Sequence, residues 1–234
     1  HDDGWVWRFS QTHVSGMGVP AGGNVAVLPL LNGEKGDSSE MDKATESGEP
    51  GYYAVTLRNG IRCEMTASAR TAVYRFSYPK GADAEILFDV DWALMEPSAD
   101  GEGVFSRSIR AGVCRFDSAK SLRGYQNLRC YVDYTVNFAA EFSAPIIRKR
   151  QVRESDGRRG DVWRIGFGTL PDGVLEVRIA LSMTSQDAAK RNLAAECGAF
   201  DETRFAASER WKEWFGRLEV GDAADPEIAA NLHA

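Results

Sequence analysis

A polar loop at residues 11–18 carries the side chains of this sequence that are best suited to hold a ligand. Thr12, His13 and Ser15 bring hydroxyl and imidazole groups together in a Gly-flanked turn, shortly after Trp7. Sugars suit this combination, because their hydroxyls exchange hydrogen bonds with polar side chains while an aromatic ring covers the C–H face. The residues alone also allow a structural loop histidine. The candidate substrate-binding residues are therefore His13, Thr12, Ser15 and Trp7.

Three acidic residues, Glu85, Asp89 and Asp91, recur at even spacing along a predicted strand and so share one of its faces. Glycoside hydrolysis uses a pair of carboxylates, one as general acid and one as general base. The apolar residues between them favour another interpretation, in which the acidic side chains form a solvated outer face. Glu141 also lies in a predicted strand and is interpreted as structural. We assign no catalytic residue to this chain.

Charge and composition argue against two classes of partner. The formal net charge of −6 disfavours a sequence-independent nucleic-acid binder, which needs a basic surface. The basic residues 148–150, with Arg153, Arg158 and Arg159, predict a solvated hairpin instead. No apolar run approaches the roughly 18 residues of a membrane-crossing helix. We expect neither a nucleic-acid partner nor a membrane span.

The metal-binding residue types are scattered along the chain. The four cysteines are too few for a disulfide scaffold and lack metal-site spacing, and the three histidines are far apart. Cys63 falls on the apolar face of a predicted strand and is interpreted as a small buried residue. We therefore assign no metal ligand to this chain.

The elements that must position the loop are mostly strands. Asn59-Gly60 separates two alternating segments, which predicts a β-hairpin with a primed turn and both turn residues at positive φ. A third strand follows, with Tyr74 and Phe76 on its buried face. These three strands form a meander, which we expect at the centre of the core.

Further strands are predicted on both sides of the meander. Residues 5–10 predict one strand with Trp5, Trp7 and Phe9 on one face, and residues 32–48 predict a polar loop. The other predicted strands cover residues 24–31, 84–92, 103–110 paired with 112–116, 131–142, 146–152 paired with 162–167, and 174–182. About a dozen strands without interleaved helices predict an antiparallel sandwich.

Two helices close the chain. Ser185 can cap a helix over residues 186–197, and a second helix is predicted over residues 202–217. An aromatic stripe on the second helix needs a partner surface; its members are Trp211, Trp214, Phe215 and Leu218. The stripe either packs on the sandwich or faces a further domain.

Five segments resemble, in the same order, the N-terminal domain of glycoside hydrolase family 92 α-mannosidases. They are FSQTHVSGMG at 9–18, the meander from PGYY at 50–53 through EMTA to YRF at 74–76, GY at 124–125, AEFSAP at 140–145, and residues 185–196. The resemblance implies a mainly β fold, a large two-sheet antiparallel β-sandwich of the galactose-mutarotase-like supersandwich type with a C-terminal helical linker. It further implies a sandwich domain over 1–183, a linker over 184–220, and the start of an (α/α) barrel catalytic domain at 221–234, where Asp225 would begin a helix.

The same resemblance implies a function. The chain would be the N-terminal part of an exo-acting, inverting α-mannosidase that acts on mannose-rich glycans, and it would form one wall of the active-site cleft. The loop matches the family motif at His13, while Gln11 and Met17 replace a histidine and a threonine. Calcium and the catalytic carboxylates would belong to the protein's own C-terminal catalytic domain, in a periplasmic or extracellular protein. The alternative is a stand-alone, non-catalytic carbohydrate-binding or structural β-sandwich.

Overall fold

Two antiparallel sheets and two helices form the part of the chain that this computed structural model describes, residues 4–13, 22–36, 38–94, 108–130, 132–155, 159–196 and 198–217. The strands are β1 Trp5–Val6, β2 Phe9–Gln11, β3 Asn24–Leu31, β4 Ser39–Glu49, β5 Tyr52–Leu57, β6 Arg62–Ala67, β7 Thr71–Ser77, β8 Asp83–Asp89, β9 Ser108–Phe116, β10 Ser121–Cys130, β11 Val132–Phe142, β12 Arg148–Arg153, β13 Val162–Thr169 and β14 Val174–Ser182. The helices are α1 Gln186–Glu196 and α2 Phe200–Phe215.

The two sheets pack face to face. One has nine strands in the order β1-β4-β5-β6-β7-β14-β11-β10-β9, and the other has five in the order β12-β13-β8-β3-β2. Aromatic pairs join them through the core: the ring centroids are 5.6 Å apart for Phe88 and Phe138, and 5.2 Å apart for Phe142 and Phe167. The predicted antiparallel β-sandwich is confirmed.

The meander β5-β6-β7 lies inside the nine-stranded sheet, with Tyr74 and Phe76 buried as predicted. The predicted primed turn is wrong, since Gly60 has φ +85 but Asn59 has a negative φ. A three-residue loop closes the hairpin, because the Leu57 N–H donates to the carbonyl of Ile61. The Asn59 amide also donates to Glu34 at 3.0 Å, a long-range partner that a primed hairpin turn does not need.

The prediction of a single strand at residues 5–10 is also wrong. β1 pairs with β4 in the nine-stranded sheet, whereas β2 pairs with β3 in the five-stranded sheet. The chain therefore changes sheet at this point and the alternation breaks. Val6 and Phe9 are buried, while Trp5 and Trp7 are 49% and 54% exposed.

Two strands, β4 and β10, were not predicted because their sequences are polar. The predicted loop at 32–48 contains β4, an 11-residue strand that pairs with β5 although most of its side chains are exposed. β10 alternates correctly, but its buried positions include Gly124 and Gln126 among the leucines. Gly112, predicted to separate two strands, lies inside β9; residues 103–107 of that prediction fall outside the described residues.

The remaining elements follow the sequence closely. β14 has its predicted bounds, and the Ser185 hydroxyl accepts the Ala188 N–H at 3.0 Å to cap α1. The basic hairpin strand β12 is exposed along its whole length, as predicted. Cys63 is buried, and burial raises the pKa of its thiol.

α2 packs against the outer face of the meander. Phe200 is buried and lies edge-on to Tyr52, with a ring-centroid separation of 6.4 Å. The guanidinium of Arg75 lies 4.2 Å from the Phe200 ring centroid and forms ion pairs with Glu64 and Asp201, both at 2.9 Å. These contacts fix the second helix on the sheet.

A Gly124→Ala change is expected to destabilise the fold by about 1–3 kcal/mol, the usual cost of overpacking. A Cβ at this position of β10 would lie 1.8 Å from the Val113 carbonyl oxygen and 2.6 Å from the Phe138 ring. Gly48→Ala in β4 is the matched control, because its nearest described neighbour would be a Tyr53 ring atom at 3.8 Å. Urea unfolding of both variants checks this, and equal losses would contradict it.

Candidate functional site

A cavity of about 1190 Å³ lies at one end of the sandwich, where β2 ends and the strands β5, β6, β7 and β14 begin or end. Helix α2 forms its opposite side. The described residues that line it are Ser10, Gln11, Thr12, His13, Gly51, Tyr52, Tyr53, Met65, Thr66, Ala67, Ser68, Ala69, Arg70, Thr71, Ala72, Tyr74, Leu181, Ser182, Met183, Thr184, Ala188, Asn192, Ala207, Arg210, Trp211 and Trp214.

The lining combines aromatic rings with polar side chains. Its aromatic members are Tyr52, Tyr53, Tyr74, Trp211 and Trp214. Burial raises the pKa of Tyr74, which keeps its hydroxyl protonated as a hydrogen-bond donor. A concave surface that combines aromatic rings with convergent hydrogen-bonding groups is typical of a small-molecule or sugar site.

His13, in the loop after β2, lines this cavity. Its Nε2 atom lies 2.9 Å from the hydroxyl of Ser10. Partial burial lowers the pKa of His13, and a hydrogen bond with the Ser10 backbone opposes that shift. The imidazole is therefore neutral at pH 7, so that one ring nitrogen donates a hydrogen bond and the other accepts one.

Thr12 is held by a chain of buried amides. Its backbone is left-handed, with φ +58, and its hydroxyl lies 2.7 Å from Asn24 Oδ1. Asn24 Nδ2 donates to Gln126 Oε1 at 2.7 Å, and Gln126 Nε2 donates to the Trp92 carbonyl at 2.9 Å. The Thr12 side chain is thus occupied by the protein itself.

The four predicted substrate-binding residues do not all meet at the cavity. Thr12 and His13 line it, whereas Trp7 is exposed and lies outside the lining. Ser15 lies outside the described residues. The sequence pointed to the aromatic stripe of α2 but not to its place: Trp211 and Trp214 line the same cavity as His13 and remain 46% and 57% exposed.

The carboxylates on β8 and just after it are not on a solvated face, so that prediction is wrong. Glu85, Asp89 and Asp91 are only 8%, 4% and 6% exposed. Arginines from neighbouring segments cover them, in the ion pairs Arg164–Glu85, Arg8–Asp89 and Arg153–Asp91. Burial raises the pKa of Asp89, and the charge of Arg8 opposes this shift. None of these carboxylates lines the cavity.

The described lining of the cavity contains no Asp or Glu side chain that could act as a general acid or base. Across the described residues, no group of three or more His, Cys, Asp or Glu side chains is arranged to hold a metal ion. The described part of the site can therefore bind and orient a ligand with neutral polar groups, aromatic rings and the arginines Arg70 and Arg210.

The comparisons with known proteins agree on a family. Residues 1–182 match the model of the glycosyl hydrolase family 92 N-terminal domain. An uncharacterized secreted glycosidase of Arthroderma benhamiae is 26% identical over 95% of this chain, and the match covers 33% of that protein.

Neither described helix has the length and apolarity that crossing a membrane requires.

Solved structures show the same fold. A family GH92 alpha-mannosidase from Bacteroides thetaiotaomicron superposes with a TM-score of 0.80 and 25% identity, over 94% of this chain and 32% of that one. A family GH92 inverting mannosidase from the same organism gives a TM-score of 0.65 at 20% identity, over 88% of this chain and 28% of that one. The chain spans about a third of the length of these relatives. It belongs to glycosyl hydrolase family 92, and residues 1–182 are the family's N-terminal β-sandwich domain.

Proposed function

We propose that this chain is the N-terminal part of an exo-acting, inverting α-mannosidase that removes terminal α-mannosyl residues from mannose-rich glycans. In this proposal the cavity end of the sandwich forms one wall of the active-site cleft. The observation that carries it is the joining of His13, from the loop after β2, with the tyrosines of the meander and the tryptophans of α2 around one cavity.

The proposed contribution of this wall is binding and orientation. His13 offers a neutral imidazole to a sugar hydroxyl, and the aromatic rings offer flat faces to the C–H side of the sugar. Holding the sugar in one orientation raises the rate by removing the entropic cost of alignment. An inverting glycosidase also needs two carboxylates roughly 6.5–9.5 Å apart, with a water molecule between one of them and the sugar.

A following catalytic domain would supply the opposite wall. Met183, Trp211 and Trp214 are the exposed apolar residues at the cavity, with Met183 61% exposed, and this domain would cover them. The general acid, the general base and the calcium ion would all belong to that domain, since the described residues around the cavity do not fit these roles. The protein would act outside the cytoplasm, as the name of the fungal relative suggests for that relative.

The proposal predicts that His13→Ala in the complete enzyme lowers kcat/KM for an aryl α-mannoside by roughly tenfold, the cost of about one hydrogen bond to the substrate. The melting temperature should barely change, because the ring is accessible to solvent. Steady-state kinetics and thermal unfolding of the same preparations check the two expectations.

The chain by itself is the reference in this experiment. Without the carboxylates of the following domain, it should release no mannose from the aryl mannoside or from mannobiose, with or without calcium. Calcium-dependent release by the chain alone would contradict the proposal. Binding of mannose oligosaccharides by the chain, together with full activity of His13→Ala, would favour a non-catalytic carbohydrate-binding module.

A further inference from the structure

The backbone of Thr12 is strained. Thr12 and Val25 are the two non-glycine residues with positive φ in the described part of the chain, at +58 and +51. A β-branched side chain strongly disfavours this conformation, so the surrounding structure must hold it in place. Thr12 directly precedes His13, and its φ and ψ therefore set the direction in which the imidazole leaves the chain.

The Thr12 hydroxyl contacts the carbonyl of Gln11, at 2.6 Å, and Asn24, which lies 12 residues further along the chain. The Asn24 N–H donates to the Thr12 hydroxyl at 3.1 Å, and Asn24 Oδ1 lies 2.7 Å from the same oxygen. Asn24 and Gln126 are both completely buried, and the Asn24 side-chain amide donates to Gln126. The Gln126 amide donates in turn to the Trp92 carbonyl. Each side-chain oxygen and nitrogen in this series of hydrogen bonds, from Thr12 to Gln126, has a partner, as buried polar groups require.

The returning backbone packs directly on Thr12. A Cβ at Gly22 would lie 1.8 Å from the Thr12 carbonyl oxygen, and one at Gly23 would lie 2.5 Å from the Leu94 side chain. Both glycines also have positive φ, at +80 and +74. Gly22 therefore has no room for a side chain where it approaches the Thr12 carbonyl, and Gly23 has none where it approaches Leu94.

We propose that Asn24 and Gln126 are positioning residues, which lock Thr12 in its left-handed conformation and thereby direct His13 into the cavity. The Thr12 hydroxyl is then an internal anchor and does not bind the sugar. The positioning itself is a property of this chain alone. Its consequence for mannoside turnover rests on the function proposed above.

The test follows the His13 ring by NMR in this chain, with His13→Ala used to assign its signals. Asn24→Ala should displace the ring signals and raise the His13 pKa toward that of a solvated histidine, because the loop no longer holds the ring against the protein. Asn127→Ala is the matched control: Asn127 is adjacent to Gln126 on β10 but bonds the Thr135 hydroxyl at 2.8 Å. It should leave the His13 signals in place.

A rescue separates positioning from stability. Adding Thr12→Gly to Asn24→Ala should restore the His13 signals and pKa, because glycine adopts positive φ without strain. The melting temperature should stay low in the double variant, since the buried Gln126 Oε1 still lacks the N–H donor that Asn24 supplied. Unchanged His13 signals in Asn24→Ala, or a double variant that fails to restore them, would overturn the proposal.

Two single variants keep the test decisive if Asn24→Ala does not fold. Thr12→Gly should preserve the His13 signals, whereas Thr12→Val, which loses the anchoring hydroxyl, should displace them while Asn24 and Gln126 stay bonded. Identical His13 signals in both would overturn the proposal. In the complete enzyme, kcat/KM should fall in Asn24→Ala and recover in the double variant. If the His13 signals move and recover as expected but kcat/KM does not change, the proposed function is contradicted. The positioning of His13 by Asn24 and Gln126 is then still established.

Discussion

Replacing Phe76 by Ala is expected to lower the free energy of unfolding by about 3–5 kcal/mol. The ring is completely buried on β7, the last strand of the meander, and stacks on Tyr74 at a centroid distance of 5.9 Å. It also reaches Phe9 of the opposite sheet, at 6.5 Å, so the cavity left by its removal would open between the two sheets. Such a loss can exceed half the stability of a typical domain. Urea unfolding of the purified chain measures it.

Phe205→Ala is the matched control, because the same atoms are removed from a ring that is 68% exposed on α2. Substitutions at such surface positions usually change stability by less than about 0.5 kcal/mol. A loss below about 1 kcal/mol for Phe76→Ala would mean that the core does not depend on the meander. Equal losses for the two variants would mean that α2 is as tightly packed as the core.

The meander could be predicted because its information is local. Alternation of apolar and polar residues on both sides of Asn59-Gly60 specifies the strands, their order and the buried face without reference to the rest of the chain. The same holds for β14 and for α1 with its Ser185 cap. The turn type was missed because Asn-Gly fits more than one hairpin loop: here the loop has three residues, and only Gly60 of the pair has positive φ.

The polar strands could not be predicted because their stabilisation is not in their side chains. β4 is held by backbone hydrogen bonds to β5 and β1, and most of its side chains face solvent. β10 buries Gly124 and Gln126 at positions where an apolar residue is expected. Each looks like a loop when only hydrophobicity is read.

The candidate site was predictable only in part for the same reason. The polar residues around His13 marked the loop, but the residues that hold it are nonlocal: Asn24 bonds Gln126 across 102 positions of sequence. The exposed aromatic stripe of α2 was visible as a helical pattern, yet its place beside His13 depends on the packing of α2 on the meander.

The burial of Asp89 shows a further limit, because alternation cannot tell a solvated face from one that arginines cover. Arg8 bonds Asp89 at 2.9 Å, and their side chains are 5% and 6% exposed. Arg8→Met is therefore expected to destabilise the chain by about 3–5 kcal/mol at pH 7, since it leaves a buried carboxylate without its counter-ion. Arg148→Met is the matched control, because Arg148 pairs with Asp83 of the same strand but is 42% exposed. It should cost no more than about 1 kcal/mol.

The pH dependence of this loss has a definite sign. Burial already raises the pKa of Asp89 above its ordinary value of 3.8, and Arg8 opposes the shift, so removing Arg8 should raise that pKa further. A group with a raised pKa in the folded state contributes stability that is fully present below the unfolded pKa and is lost as the pH rises through the folded pKa. The loss caused by Arg8→Met should therefore be smallest near pH 4, where the carboxyl is protonated, and should grow toward pH 7.

A second substitution isolates the carboxylate as the cause. Adding Asp89→Asn to Arg8→Met removes the unpaired charge while retaining an oxygen that can accept the Asp91 N–H, which Asp89 Oδ1 accepts at 2.8 Å. The double variant should recover much of the lost stability at pH 7, and its remaining loss should no longer vary with pH in this window. Chemical unfolding at several pH values measures both effects. If the stability loss in Arg8→Met does not depend on pH and is not relieved by Asp89→Asn, the unpaired carboxylate is not its cause. The loss would then be assigned to the contact of Arg8 with Trp92, whose ring centroid lies 5.3 Å from the guanidinium carbon.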